Sequence, residues 1–188
     1  MIRSGLVHIV LFLVYVFVQA MLLKNLVLFN SAFCFLYVVF ILSLPFEFST
    51  TLTILVGFLL GFTIDIFYSS IGMHAFATVL MSYLRNHWLS VITPQGGYDT
   101  GNTPTIATNG IQWFLVYTIP LVFIHHFVLF FLEASGFDMF WFTMLKIMGS
   151  LLFTMIVIIF LQLLVPQRRK IRMIHSKKYC RSCSYWLG

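Results

Sequence analysis

The sequence predicts an all-α, polytopic bundle of transmembrane helices with about six spans, five being possible. Two observations predict it. Of the 188 residues 61% are hydrophobic and 9% charged, against about 25% charged in a typical soluble domain. The apolar residues also gather into six runs divided by short polar stretches, and the longest runs, about 20 residues, match a hydrocarbon core about 30 Å thick.

The runs fall at 5–23, 32–46, 52–68, 72–89, 111–132 and 142–165, so residues 1–166 read as the bundle. The first follows a basic start, as a signal peptide does, but continues through Met21, Leu22 and Leu23 past the single small residue Ala20, and is read as an uncleaved span. The second is short, bounded by Asn30-Ser31 and broken near its end by Pro45. It either spans thinly or only dips in. The third ends at Ser69, Ser70 and Gly72, a turn so tight that the third and fourth runs must be antiparallel neighbours. The fourth is the least apolar, with His74, Ser82, Arg85 and His87, and is expected to lie against other helices instead of lipid. Residues 90–110, rich in Gly and Pro and without a periodic apolar face, read as an extramembrane loop. Trp88, Trp113, Tyr117 and Trp141 read as interfacial anchors.

Charge orients the chain. Seven of the eleven basic residues lie between Arg168 and Arg181, in a tail (167–188) directly after the last run. Beside a span such a tail marks the cytoplasmic side, and Arg168, Arg169, Lys170 and Arg172 are expected to touch anionic headgroups, not nucleic acid. The 90–110 loop is then cytoplasmic, while the Ser69–Gly72 turn and the Glu133–Asp138 loop face outward. Lys24 and Lys146 are the two basic residues outside if there are six spans; with five, Arg3 replaces Lys24 and the balance is unchanged, so charge does not choose between them.

Polarity concentrates around Gly57–Ala75. Gly57, Gly61 and Asp65 recur every four residues and share one helix face. The glycines at that spacing admit a second helix at backbone distance, within the chain or from a partner. Asp65 lies about 4–5 Å from the outer end of its helix at 1.5 Å per residue. His74, His125, His126 and Glu133 come out at similar depth, suggesting an outward polar cluster in which Asp65 pairs with His74 or a histidine of the fifth run. The chain has no HExxH, GxSxG, P-loop or paired intramembrane aspartates, so a non-enzyme is expected. Cys34 reads as a packing residue. Cys180 and Cys183 form one CxxC with only His175 near, short of the four ligands of a zinc site, so no metal or cofactor is expected.

The stretch Gly57–Arg85 resembles the rod shape-determining protein MreD family. The shared pattern is a GxxxG helix with an acid four residues on, a short turn, then Gly, a His or Asn, and a small residue: here Gly57, Gly61, Asp65, Gly72, His74 and Ala75. The long loop with PQGGY and the Ile-His-His of the fifth run are similar to the Bacteroidota branch. The resemblance implies a fold similar to the substrate-binding subunits of energy-coupling-factor vitamin transporters. It also implies a non-enzymatic inner-membrane part in the cell-elongation complex, beside a single-span MreC-like protein, the actin-like MreB, the glycosyltransferase RodA and its transpeptidase. A small-molecule-binding transporter subunit is the alternative.

Overall fold

Four helices of the computed structural model are long and apolar enough to cross a membrane: Gly5–Leu23, Thr50–Tyr68, Ile111–Ala134 and Phe140–Leu164. The structure describes residues 2–28, 32–98, 101–135 and 139–164; the basic tail, with Arg168, Arg169, Lys170, Arg172, His175, Cys180 and Cys183, lies outside them. In chain order the elements are α1 (Ile2–Val18) running on through a π turn (Gln19–Leu23), β1 (Val27–Leu28), β2 (Ala32–Phe33), α2 (Val38–Leu42), α3 (Thr50–Tyr68), α4 (Met73–Val91), α5 (Ile106–Asn109), α6 (Ile111–Ala134) and α7 (Phe140–Leu164). β1 and β2 pair antiparallel, Val27 opposite Phe33 and Leu28 opposite Ala32.

α3 starts cleanly because the Ser49 hydroxyl accepts the Leu52 N–H, satisfying one of the orphan donors of a helix start. It ends at Ser69, in the left-handed conformation, followed by Gly72 at φ +74°. α4 folds back from that turn along α3 and also packs on α6. It is as long as α3 but is not among the four apolar helices, because its inner face carries His74, Thr78, Ser82 and Arg85, all buried. Protein, not lipid, covers that face. α6 contains Pro120, which cannot donate to the Val116 carbonyl four residues back. The Trp88 indole N–H takes that carbonyl instead at 3.1 Å, so Trp88 works as a helix-to-helix tie. α1 with its π turn is the least buried of the four long apolar helices, with Leu6, Ile9, Leu13 and Phe17 exposed and, among the described side chains, only Val16, Gln19 and Ala20 buried.

The run 32–46 is not a spanning helix. It holds one two-residue strand and the five-residue α2, and residues Cys34–Leu42 and Leu44 are all buried. Phe33 lies beside Phe130, at the end of the bundle where the α3–α4 turn sits (the hairpin end). Phe46 lies beside Trp113, at the opposite, loop end. Those two α6 residues are 17 positions apart (130 − 113), about 25 Å of helix at 1.5 Å per residue. Thirteen residues (46 − 33) cover that span at about 1.9 Å each, too stretched for a helix and too compact for a strand. The segment is a threaded core, enclosed on every side by the helices.

Non-helical backbone at membrane depth is tolerated only where protein satisfies it, and the bundle's buried polar side chains do so here. Gln19, turned inward at the π turn, accepts from Leu36 N–H (2.8 Å) and Tyr37 N–H (3.4 Å) and donates to the Cys34 carbonyl (3.0 Å). Ser150 and Thr154 of α7 accept from the Phe33 and Phe35 amides at 2.9 and 3.3 Å. Tyr117 donates to the Leu42 carbonyl at 3.0 Å, and the Arg85 guanidinium donates to the Leu44 carbonyl and, at 2.9 Å, to the Tyr117 oxygen. Arg85 and Tyr117 thus close the C-terminal end of α2, where carbonyls lack partners and a positive charge is favoured. Tyr117, read as an interfacial anchor, is instead fully buried in this contact, while Trp141 is exposed.

The loop end is more than a connection. Tyr98 stacks flat on Phe46, centroids 4.1 Å apart, and Glu47 accepts the Gly101 N–H at 3.0 Å. Thr105 and Thr108 form a reciprocal cap on α5.

Candidate functional site

The hairpin between α3 and α4 is built by the residues singled out in the sequence. A Cβ on Gly57 would lie 2.2 Å from Ser82 Oγ, and one on Gly61 would lie 2.5 Å from the Ala75 Cα and 2.7 Å from the His74 carbonyl oxygen. Gly61 therefore lies against the backbone of α4 itself. The face of the two glycines is filled from within the chain, so it is not a face open to a partner's helix.

Asp65 completes the closure. One carboxylate oxygen accepts the His74 N–H at 3.0 Å and the Ser70 hydroxyl; the other accepts the Ala75 N–H at 2.8 Å. These amides lie in the first turn of α4, where N–H groups have no helical partner and the helix dipole favours an anion. Gly72, the residue before that turn, has no side chain to act as a cap, and its φ of +74° suits glycine. Asp65, reaching over from α3, supplies the missing cap. Of the two expected pairings the structure has the one with His74, made through the His74 backbone N–H, and the His74 ring points elsewhere.

That ring bonds Tyr37, a residue the sequence reading did not select. The Tyr37 hydroxyl lies 3.0 Å from His74 Nδ1 and 2.8 Å from His125 Nε2. Tyr37 comes from the threaded core, His74 from α4 and His125 from α6, so one hydroxyl ties three elements together. A phenol has a single proton. It donates to one imidazole and accepts from the other, so two neutral rings here must hold the same tautomer, both protonated on Nε2 or both on Nδ1. The ring of Phe35 is centred 5.6, 6.1 and 5.3 Å from the rings of His74, His125 and His126. His126 faces away from Tyr37, with Nδ1 2.7 Å from the Val122 carbonyl and Nε2 3.3 Å from Thr154 Oγ1. His125 and His126 have no exposed surface; they are enclosed residues, not interfacial ones. His125 Nδ1, Ser82 Oγ and Thr118 Oγ1 are buried without a hydrogen-bond partner among the described residues.

Glu133 stands apart from this cluster. It ends α6 and pairs with Lys146 of α7 at 2.8 Å. Between Glu133 and His74 lies a cavity of about 150 Å³, lined also by Phe33, Tyr68, Ser70 and Phe130.

The signal for Tyr37 and Gln19 was faint: single polar-tipped residues within apolar runs. Their partners lie 15 to 88 residues away in the chain, beyond any periodicity. Arg85 was the stronger hint, a fixed charge in a run otherwise fit for a membrane. No family model matches the chain, and neither do curated proteins or solved structures.

Proposed function

We propose that the chain is a non-enzymatic membrane component of a bacterial cell-elongation complex, embedded in the inner membrane with its basic tail in the cytoplasm. In this reading it crosses six times, five times as a helix and once as the threaded core. Its partners are a single-span MreC-like protein, then MreB, RodA and its transpeptidase. The observation that carries the reading is the hairpin. The residues on which the resemblance rests, Gly57, Gly61, Asp65, Gly72, His74 and Ala75, are those that lock α3 to α4. A motif spent on internal rigidity suits a protein whose work is to hold others in register. Partner contact then falls to the outer faces, above all α1 and α7, whose Leu13, Phe17, Leu152 and Phe160 are exposed and would be covered by lipid or by partner spans.

Co-purification tests this. A tagged chain drawn from native membranes in mild detergent is expected to bring the MreC-like protein with it, and depletion is expected to round the cells. Recovery without wall-synthesis partners, and rods of normal shape after depletion, would contradict it. The second reading, a small-molecule-binding transporter subunit, is favoured by the cavity between His74 and Glu133; an uptake defect with normal cell shape would select it.

A further inference from the structure

A second cavity, about 450 Å³, lies on the other side of Phe130 and Glu133, between the ends of α6 and α7. Its walls are Ala134, Met139, Phe142 and Thr143, with Lys146 closing it. Three facts define its chemistry. The walls are mostly apolar and lie at the hairpin end of two helices fit to cross a membrane. An anion and a cation, Glu133 and Lys146, stand side by side at its rim. Lys146 Nζ lies 4.8 and 4.6 Å from the ring centres of Phe33 and Phe130, so the rings and the carboxylate together already hold one ammonium.

We propose that this groove binds the headgroup of a zwitterionic phospholipid bearing a primary amine, of the phosphatidylethanolamine type. The lipid's ammonium donates to the Glu133 carboxylate, of which only Oε2 is engaged by Lys146. The phosphate meets the Lys146 ammonium, and an acyl chain runs along Met139 and Phe142. Charge complementarity chooses this occupant. An acidic lipid without an amine leaves Glu133 facing a phosphate. A choline lipid carries the positive charge but has no N–H to give the carboxylate. The site sits apart from the hairpin lock and does not depend on which partners the protein has.

The test is native mass spectrometry of the purified full-length chain titrated with phosphatidylethanolamine, phosphatidylcholine and phosphatidylglycerol of matched acyl chains. The amine lipid is expected to be retained about tenfold more than the choline lipid, the scale of one hydrogen bond to a charged group. Glu133→Leu, which leaves no acceptor for the lipid's N–H, is expected to bring the two level, and Ala134→Trp, which fills the groove, to abolish the retention of the amine lipid. Equal retention of amine and choline lipids by the unaltered chain, a preference for phosphatidylglycerol, or an amine preference that survives both substitutions would overturn the proposal.

Discussion

The α3–α4 hairpin and the threaded core at 32–46 solve the same problem, a backbone buried in an apolar bundle, in opposite ways. The hairpin's helices bond their own backbone, so only the turn leaves amides unpaired; Asp65 takes two of them, and Gly61 brings the helices to backbone contact. The threaded core has little regular structure and borrows its partners from Gln19, Tyr117, Arg85, Ser150 and Thr154 on α1, α6, α4 and α7. A local element can therefore be rigid by packing alone, while a non-local one must be held by polar side chains the membrane would otherwise reject.

The contrast yields a ranked series of substitutions, each read as thermal unfolding of the detergent-solubilised chain. Gly61→Leu is expected to prevent the hairpin from closing altogether, since even a Cβ would lie 2.5 Å from the Ala75 Cα; folded protein with the normal melting temperature would show that the close approach is dispensable. Gln19→Leu removes four hydrogen bonds. Each orphaned buried group costs about 1–3 kcal/mol, so a loss larger than that of any single bond is expected, with the damage falling on the threaded core and on the end of α3, where Tyr68 loses one of the four bonds. Asp65→Leu strips the α4 cap and is expected to cost about 2 kcal/mol, near the upper end for a cap. Asp65→Asn keeps an acceptor and should cost less; equal losses for the two would show that the carboxylate's hydrogen bonds are not what holds the turn. Ser150→Ala is the mildest, about 1 kcal/mol for the one bond to the Phe33 amide, and should fall on the core alone.

The same contrast explains what could be read in advance. The helices of the bundle and the α3–α4 turn were legible because apolar runs, glycines four apart and an acid on their face are short-range patterns. The face on which Gly57, Gly61 and Asp65 lie was right, yet its target was only half visible: spacing tells that a helix will approach, not whose. Residues 32–46 looked like a weak span because their composition is apolar and their length short. Nothing local announces that a chain will be enclosed, since its hydrogen-bond partners are reached only after folding. Tyr37 was overlooked for the same reason. Tyr117 was misplaced because an aromatic near a span end reads the same whether it faces headgroups or, as here, the carbonyl of Leu42.

Hydrogen exchange at single-amide resolution tests most directly whether side chains hold a non-helical core across the bundle. The amides of Phe33, Phe35, Leu36 and Tyr37 are expected to be as protected as those within α3. In Gln19→Leu the protection of Leu36 and Tyr37 should fall by about tenfold or more, the scale of one buried bond, while the Asp65-capped amides of His74 and Ala75 keep theirs. Fast exchange of the four core amides in the unaltered protein, or protection that Gln19→Leu leaves intact, would contradict the account.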